Sequence, residues 1–195
     1  MGTLLRYDGW GSLGPLTDLL DRASADRPLV LALDGFCASG KSTLAAEFEK
    51  RYGARVIHTD DFYLPAPMRT PERYAEPGGT IQYERLKTEV IDCLHLPALT
   101  YGRIRHADFT VGDPVTLPLA PLTVIEGAYA AHPFFGDYAE ILCFMETAPD
   151  EQRRRILSRN GPERLRLFEE RWIPYEKKYE AAFGIREKAD FIILT

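Results

Sequence analysis

Residues 35–42 read Gly35-Phe36-Cys37-Ala38-Ser39-Gly40-Lys41-Ser42, which matches the phosphate-binding pattern G-x-x-x-x-G-K-[ST]. An apolar run over residues 29–33 precedes this loop, and a helix-forming run begins at Thr43. A buried strand, a turn of small residues and a helix N-terminus are the context in which such a loop holds an anion. The stretch therefore predicts that the chain binds a nucleoside triphosphate.

The residue types of the loop have separate chemical roles. Gly35 and Gly40 let backbone N–H groups approach the β-phosphate, which a Cβ would obstruct. Lys41 can reach the β- and γ-phosphate oxygens, and the hydroxyl of Ser42 can ligate Mg²⁺. ATP and Mg²⁺ are therefore the expected cofactors. The predicted nucleotide-binding residues are Gly35, Ala38, Ser39, Gly40, Lys41, Ser42 and Thr43.

Length and composition limit the classes of protein to which the chain can belong. The chain has 195 residues, of which 45% are hydrophobic and 27% charged, which fits one well-cored α/β domain. A formal net charge of −5 disfavours a general nucleic-acid binder. No apolar stretch is long enough to span a membrane, and the N-terminus has no signal-peptide pattern. Cys37, Cys93 and Cys143 are widely spaced and odd in number, which favours reduced thiols and a cytoplasmic location.

Hydrophobic periodicity and breaker residues predict alternating strands and helices. We expect strands at 29–33, 55–58, 122–125, 141–145 and 191–194, and helices at about 15–22, 41–51 and 83–94. Residues 64–79 carry four prolines and read as a loop, and 149–183 reads as helical with breaks near Gly161-Pro162 and Pro174. A hairpin is expected with strands at 109–111 and 115–117. The pattern predicts a parallel sheet with helices on both faces.

Carboxylates follow two of these strands. Asp60 and Asp61 come directly after the second strand, and Glu126 follows the strand at 122–125. Because the carboxyl ends of parallel strands meet at one edge of a sheet, these groups should lie opposite the phosphate loop. There they could hold Mg²⁺ or accept a proton from an attacking hydroxyl. A helix cap or a solvated turn is the alternative for Asp60 and Asp61, and the carboxylate at a separate strand end makes that alternative less attractive.

Three stretches together resemble the uridine kinase family: Asp34-Gly35 at the loop, residues 57–63, and Val124-Ile125-Glu126-Gly127. This group includes the nicotinamide riboside kinases and is related to phosphoribulokinase and pantothenate kinase. The resemblance covers most of the chain from residue 29. It implies a three-layer P-loop NTPase fold with a short arginine-containing lid at about 149–166. Together with the helix expected at about 15–22, which makes residues 1–28 an N-terminal helical extension, the chain is expected to form a single P-loop kinase domain over 1–195. The resemblance also implies that Asp60 is the general base and that Glu126 lies near the metal.

Further predicted contacts follow from the same resemblance. Tyr101 and His106 keep the spacing of a Tyr and a His that contact the pyrimidine in uridine kinases, and a surface Tyr and a loop His are the alternative. Arg155 and Arg159 resemble lid arginines that would clamp the transferred phosphoryl group. A solvated basic helix face is the alternative, which we favour less for these two. Gln82 stands where those enzymes carry an Asp that binds the ribose. Tyr63 could line the acceptor pocket or simply pack.

The leading hypothesis is an ATP-dependent kinase that phosphorylates a hydroxyl of a small molecule, a nucleoside first of all. The difference at Gln82 keeps open a pantothenate, sugar-acid or antibiotic acceptor. A nucleotide-sensing NTPase switch is the alternative of another class, although the chain lacks the N-K-x-D motif that reads guanine. The expected partners are a nucleoside triphosphate and a small-molecule acceptor, without nucleic acid or membrane, and a homo-oligomer is left open.

Overall fold

The computed structural model describes residues 2–23 and 27–195. The strands are β1 (Thr3–Arg6), β2 (Leu29–Gly35), β3 (Arg55–His58), β4 (Ala98–Arg105), β5 (Thr110–Pro118), β6 (Leu122–Glu126), β7 (Ile141–Glu146) and β8 (Phe191–Leu194). Six of them form a parallel sheet in the order β1-β8-β7-β2-β6-β3, whereas β4 and β5 pair as an antiparallel hairpin. The expected mostly parallel sheet is therefore confirmed.

Helices connect and cover these strands. They are α1 (Gly14–Ala23), α2 (Lys41–Tyr52), α3 (Pro71–Ala75), α4 (Tyr83–Glu89), α5 (Pro149–Leu167), α6 (Ile173–Phe183) and α7 (Ile185–Lys188). A π-helical turn, Phe168–Trp172, joins α5 to α6. None of the helices within the described ranges is long and apolar enough to cross a membrane.

The sheet separates two hydrophobic cores, because successive side chains of a strand point to opposite faces. On one face, Leu31 and Leu33 of β2 pack with Leu44 and Phe48 of α2. On the other face, Val30 packs in a cluster with residues of β6, β7, α4 and α6. Each fully buried Leu or Phe contributes roughly 1.5–3 kcal/mol, so both helical layers are held firmly against the sheet.

The hairpin prediction is wrong in its turn. β4 pairs with β5 around residues 106–109, so the Gly112-Asp113-Pro114 segment lies inside β5. The turn forms because the Asp108 carboxylate accepts from the backbone N–H of Thr110 at 3.1 Å. Pro114 is tolerated in β5 because this two-stranded sheet has a free edge.

Other segments also differ from expectation. Strand β1 was missed, so residues 1–28 are not solely a helical extension; with Leu5 as its one buried residue, β1 gives little periodic signal. The segment 64–79, expected to be a loop, contains α3, which Thr70 caps by accepting from the N–H of Arg73. The helix expected at 83–94 ends at Glu89 and is followed by a separate 3₁₀ turn, Ile91–Cys93.

The charged helical region is less broken than expected. Gly161 leaves helical geometry with φ +80° inside α5, as the sequence indicated. Pro174 causes no break, because it occupies the first turn of α6, where its missing N–H is not needed. The two helices therefore form one arm beside the carboxyl edge of the sheet.

Candidate active site

The turn between β2 and α2 starts at Gly35, in a conformation that favours glycine. Its φ is +135°, and a Cβ there would lie 2.0 Å from the carbonyl oxygen of Met145. Ala38 also has a positive φ, of +58°, which costs a non-glycine residue about 1–2 kcal/mol. Such strain persists where surrounding contacts fix the backbone.

Each backbone carbonyl of the loop from residue 35 to residue 39 accepts a hydrogen bond from a side chain. The Lys41 ammonium donates to the carbonyls of Gly35 and Phe36, both at 2.8 Å. The other carbonyls accept from side chains outside the loop: Cys37 from Gln152 at 2.9 Å, Ala38 from Arg155 at 3.1 Å and Ser39 from Thr195 at 3.0 Å. These contacts hold the loop in place despite its strain.

The amides of the loop are left available. Within residues 2–23 and 27–195, no group accepts from the N–H of Ala38, Gly40, Lys41, Ser42 or Thr43. Unpaired amides at a helix N-terminus form a binding site for an anion, and Lys41 adds a full positive charge. The arrangement suits a phosphate group.

Asp34 anchors the base of this loop. Its buried carboxylate accepts from the amides of Gly35 (2.6 Å), Tyr129 (3.2 Å) and Ala131 (2.8 Å), and from the hydroxyl of Tyr179 at 2.8 Å. Burial raises its pKa, and the donated hydrogen bonds work against that rise. Asp34 thus connects the loop to the chain after β6 and to α6.

Two side chains at the loop offer oxygen ligands to a cation. The Ser42 hydroxyl donates to Glu126 Oε1 at 3.0 Å, and His58 Nδ1 lies 2.5 Å from the same oxygen. Hydroxyl and carboxylate oxygens match the preference of Mg²⁺, which is held by few protein ligands when phosphates supply the others. No group of three or more His, Cys, Asp and Glu side chains in the described ranges could hold a metal unaided. The pair therefore fits a nucleotide-bound Mg²⁺ rather than a resident ion.

A cleft opens beside the loop, and we call it the Asp60 cleft. Its lining includes Lys41, Ser42, Asp60, Tyr63, Glu126, Arg159, Phe168, Trp172 and Glu176. Asp60 reaches it from the 3₁₀ turn Thr59–Phe62 at the end of β3. A Cβ on Gly127 would lie 2.0 Å from the Thr59 hydroxyl, so this glycine lets the β6 exit pack against the turn. The structure thus brings Asp60, Lys41 and Glu126 together, as the strand order predicted.

The Asp60 carboxyl has a raised pKa. Loss of hydration among the surrounding atoms raises it most, the negative charge of Glu126 raises it further, and Lys41 lowers it. Because Asp60 remains exposed to solvent, we expect a smaller rise than for a fully buried acid. In its ionised form this carboxylate can accept a proton.

Asp61 and Tyr101, the tyrosine that was predicted to contact a pyrimidine, interact with the β4–β5 hairpin and do not line the cleft. Asp61 forms an ion pair with Arg103 at 3.1 Å and accepts from the Tyr101 hydroxyl at 3.3 Å. Tyr101 is buried and stacks on Phe62, with ring centroids 5.2 Å apart. Neither side chain lines the Asp60 cleft.

The other residues predicted to contact the acceptor differ in their position relative to the cleft. Tyr63 lines the cleft, and His106 lies against its ring, at 5.9 Å between centroids. Gln82 is absent from the cleft lining, and its Oε1 accepts from Arg85 at 3.0 Å. Tyr63 is therefore the nearest of these side chains to Asp60.

The two predicted lid arginines both line one cavity beside the loop, and only Arg159 also lines the Asp60 cleft. Arg155 donates to the Ala38 carbonyl and to Thr195 Oγ1, and its side chain lies outside the Asp60 cleft. It lines a second cavity of about 350 Å³, the Arg155 cavity. The other residues of that cavity are Tyr7, Ala38, Ser39, Gly40, Thr43, Arg159 and Thr195. Arg159 lines both spaces and donates to Asn160 Oδ1 at 2.8 Å. It forms no ion pair in the described ranges, so its charge is available to an anion.

Sequence reasoning missed Phe168, Trp172 and Glu176 in the cleft. They lie on the π-helical turn and on α6, in a stretch whose many exposed charges hide any pattern. Glu176 is 7% exposed, and its Oε2 accepts from the N–H of Cys37 at 2.8 Å. Burial raises its pKa to about 7, against the pull of Lys41. Only the packing of α6 shows that this glutamate is buried.

Comparison with solved structures identifies the class of fold. A Bacillus stearothermophilus protein described as a possible uridine kinase matches with a TM-score of 0.66 and 19% identity, covering 92% of this chain and 99% of that one. The chain thus has the fold of the uridine kinase-like P-loop kinases, and the expected resemblance is confirmed at the level of the fold.

More distant similarities add no further argument. A Thermus thermophilus protein, TT1252, matches with a TM-score of 0.48 and 17% identity, over 87% of this chain and 90% of that one. A deoxyadenosine kinase from M. mycoides with bound dATP matches with a TM-score of 0.40 and 14% identity, over 86% and 90%. No family model matches the chain, and no curated protein matches it.

Proposed function

We propose that this protein is an ATP-dependent kinase that transfers the γ-phosphoryl group to a hydroxyl of a small molecule. The observation that carries the proposal is the Asp60 cleft. There the Asp60 carboxylate, which forms no ion pair within residues 2–23 and 27–195, faces the same space as Lys41 and the Ser42–Glu126 pair. A phosphate site, oxygen ligands for a cation and a proton acceptor are the parts that phosphoryl transfer to an alcohol requires.

The donor is bound by groups that the fold has already oriented. The free loop amides and Lys41 bind the β- and γ-phosphates, and the fixed carbonyls prevent the loop from turning away. Ser42 and Glu126 would hold Mg²⁺, which neutralises phosphate charge when bound. Arg155 faces the nucleoside side of the loop, whereas Arg159 can reach the transferred group from either space.

Asp60 performs the proton transfer. Its carboxylate accepts the proton of the acceptor hydroxyl while that oxygen bonds to the γ-phosphorus and the bond to the β,γ-bridging oxygen breaks, which leaves ADP. Phe168 and Trp172 exclude water from the transfer site, which limits hydrolysis. Closure of the α5–α6 arm over bound ATP would strengthen both effects.

A nucleoside is the acceptor that the resemblance favours, but one observation supports another class. Tyr101 is packed under the hairpin and Gln82 is bound to Arg85, so two predicted nucleoside contacts are already engaged. A non-nucleoside alcohol, such as pantothenate, a sugar acid or an antibiotic, is the second candidate. Both candidates use Asp60 as the base.

Coupled ADP release with Mg-ATP tests the proposal across nucleosides, sugars, pantothenate and hydroxylated antibiotics. We expect one acceptor class to stimulate ADP release, and Asp60→Asn to lower that stimulated rate by about 10²–10⁴-fold. Asp113→Asn, on the exposed strand β5, is the matched control and should behave as wild type. Slow hydrolysis that no acceptor changes would contradict the kinase proposal and favour the nucleotide switch.

A further inference from the structure

Glu176 is a buried carboxylate in the Asp60 cleft to which the proposed transfer assigns no step. It lies on α6 and is 7% exposed, yet it lines the cleft beside Asp60 and Trp172. Carboxylates are almost never so buried unless a partner compensates for the lost water. The partners of its two oxygens therefore indicate what the site is built to receive.

Only one of these oxygens has a strong donor. Oε2 accepts from the Cys37 amide at 2.8 Å, which also braces the phosphate loop. Apart from the weakly donating thiol of Cys37, the described part of the chain offers no donor to Oε1. Oε1 is not among the fully buried side-chain atoms that lack a partner in the described ranges. It can therefore accept a further hydrogen bond from a donor group of a ligand in the cleft.

Aromatic rings surround the same space. Trp172 and Phe168 line the cleft with Tyr63, and the rings of Tyr63 and Trp172 are 5.9 Å apart between centroids. The faces of such rings carry negative potential and attract cations, most strongly where water is excluded. A carboxylate beside aromatic faces is an environment that favours a positively charged group.

The charges of the cleft point the same way. Asp60, Glu126 and Glu176 are acidic, whereas Lys41 and Arg159 are the basic residues that line it. Bound triphosphate would engage both basic groups, which leaves the acceptor side negative. An acidic acceptor would meet repulsion there, and a cationic one would be attracted.

We propose that Glu176 determines acceptor specificity by binding a cationic group, such as a protonated amine, on the molecule whose hydroxyl Asp60 deprotonates. This inference rests on the proposed function and narrows its substrate class to alcohols that carry positive charge. It places sugar acids and pantothenate below amino sugars, aminocyclitols and other hydroxylated amines as acceptors.

Matched acceptors test the charge requirement. Sets that share a skeleton and differ in charge, such as glucosamine, glucose and glucuronate, are compared in coupled ADP release at pH 8, together with the corresponding aminocyclitol and nucleoside sets. In the set that supports turnover, we expect the cation to exceed its neutral counterpart by about 10- to 100-fold in kcat/KM, as a charge-assisted hydrogen bond provides. Equal turnover of all charge forms, or preference for the anion, would overturn the inference and leave the kinase proposal intact.

Glu176→Gln separates specificity from loop bracing, because glutamine retains an oxygen for the Cys37 amide but loses the charge. We expect the variant to reduce the preference for the cation to within about twofold, with an unchanged KM for ATP. Glu170→Gln, at an exposed position on the same arm, is the control and should retain the wild-type preference. An equal loss with every acceptor would assign Glu176 a structural role only and would overturn the inference.

A further possible outcome is that none of the acceptors supports turnover, which bears on the proposed kinase function itself. Absence of acceptor-stimulated turnover in every set would count against the kinase proposal. Thermal stabilisation of the complex with a non-hydrolysable Mg-ATP analogue then tests Glu176 directly. Glucosamine at millimolar concentration should raise Tm in wild type and not in Glu176→Gln, and no shift with any of the amines would overturn the inference as well.

Discussion

The two sides of the phosphate loop are constructed in different ways. The side that we propose for the nucleotide consists of a continuous stretch, residues 35–43, whose amides are exposed because neighbouring side chains hold its carbonyls. The side that we propose for the acceptor combines Asp60 after β3, Glu126 after β6 and Glu176 on α6. A local motif can be read from neighbouring residues, whereas a site assembled from distant segments depends on how the chain packs.

Substitution of Lys41 should have the largest effect on kcat/KM. Comparison with Asp60→Asn tests whether the two sides of the phosphate loop act separately. Lys41→Ala removes the charge on the phosphates and the donor to two loop carbonyls, so we expect kcat/KM to fall by about 10³-fold or more and nucleotide affinity to drop. Asp60→Asn should lower kcat while nucleotide affinity, measured by titration calorimetry, stays near wild type. Equal loss of nucleotide affinity in both variants would mean that the two sides are not separable.

Asp34 joins the two sides, and its substitution should affect stability first. Asp34→Asn places an NH₂ group among backbone donors that the carboxylate accepted, and we expect the free energy of unfolding to fall by about 3 kcal/mol. Urea denaturation with constant m-value measures this loss. Asp137→Asn, at an exposed position, should change stability by less than about 0.5 kcal/mol; a similar loss there would contradict the role of Asp34.

Glu176 should make stability depend on pH. Its pKa is about 7 in the folded protein against 4.5 in its unperturbed state, so the folded chain binds more protons between these values. The free energy of unfolding should therefore fall as pH rises from 4.5 to 7, by up to roughly 3 kcal/mol. Glu176→Gln should flatten that slope, and the remainder would come from Asp34 and Asp60, whose pKa values are also raised. An unchanged slope would show that Glu176 is not shielded from water.

The smallest effect on the kinetics is expected from substitution of Arg155. Arg155→Ala removes the contacts to the Ala38 carbonyl and to Thr195, so we expect KM for ATP to rise by about tenfold with little change in kcat. Arg159→Ala, which removes a group that lines both spaces, should lower kcat more than it raises KM. Steady-state kinetics at varied ATP separate the two effects, and identical profiles would contradict the proposal that only Arg159 acts in the Asp60 cleft.

Much of the fold could be predicted from the sequence because its central strands are strongly apolar. The central strands β2, β6 and β7 were predicted to within two residues of their observed bounds, at 29–33, 122–125 and 141–145. The hairpin turn was placed wrongly because Gly112-Asp113-Pro114 has turn composition, whereas the hydrogen bond from Thr110 to Asp108 decides the pairing. Strand β1 was missed because its own residues show no strand pattern, and its conformation depends on pairing with β8.

The sequence alone determined the phosphate loop, since its glycines, lysine and serine act through the backbone that they themselves form. It also indicated Asp60 and Glu126, because parallel strands must end at one edge. Tertiary structure alone decided that Arg155 lies outside the Asp60 cleft, that Tyr101 packs under the hairpin and that Glu176 is buried. The physical reason is that burial and charge pairing are properties of the packed neighbours, and those neighbours lie far apart along the chain.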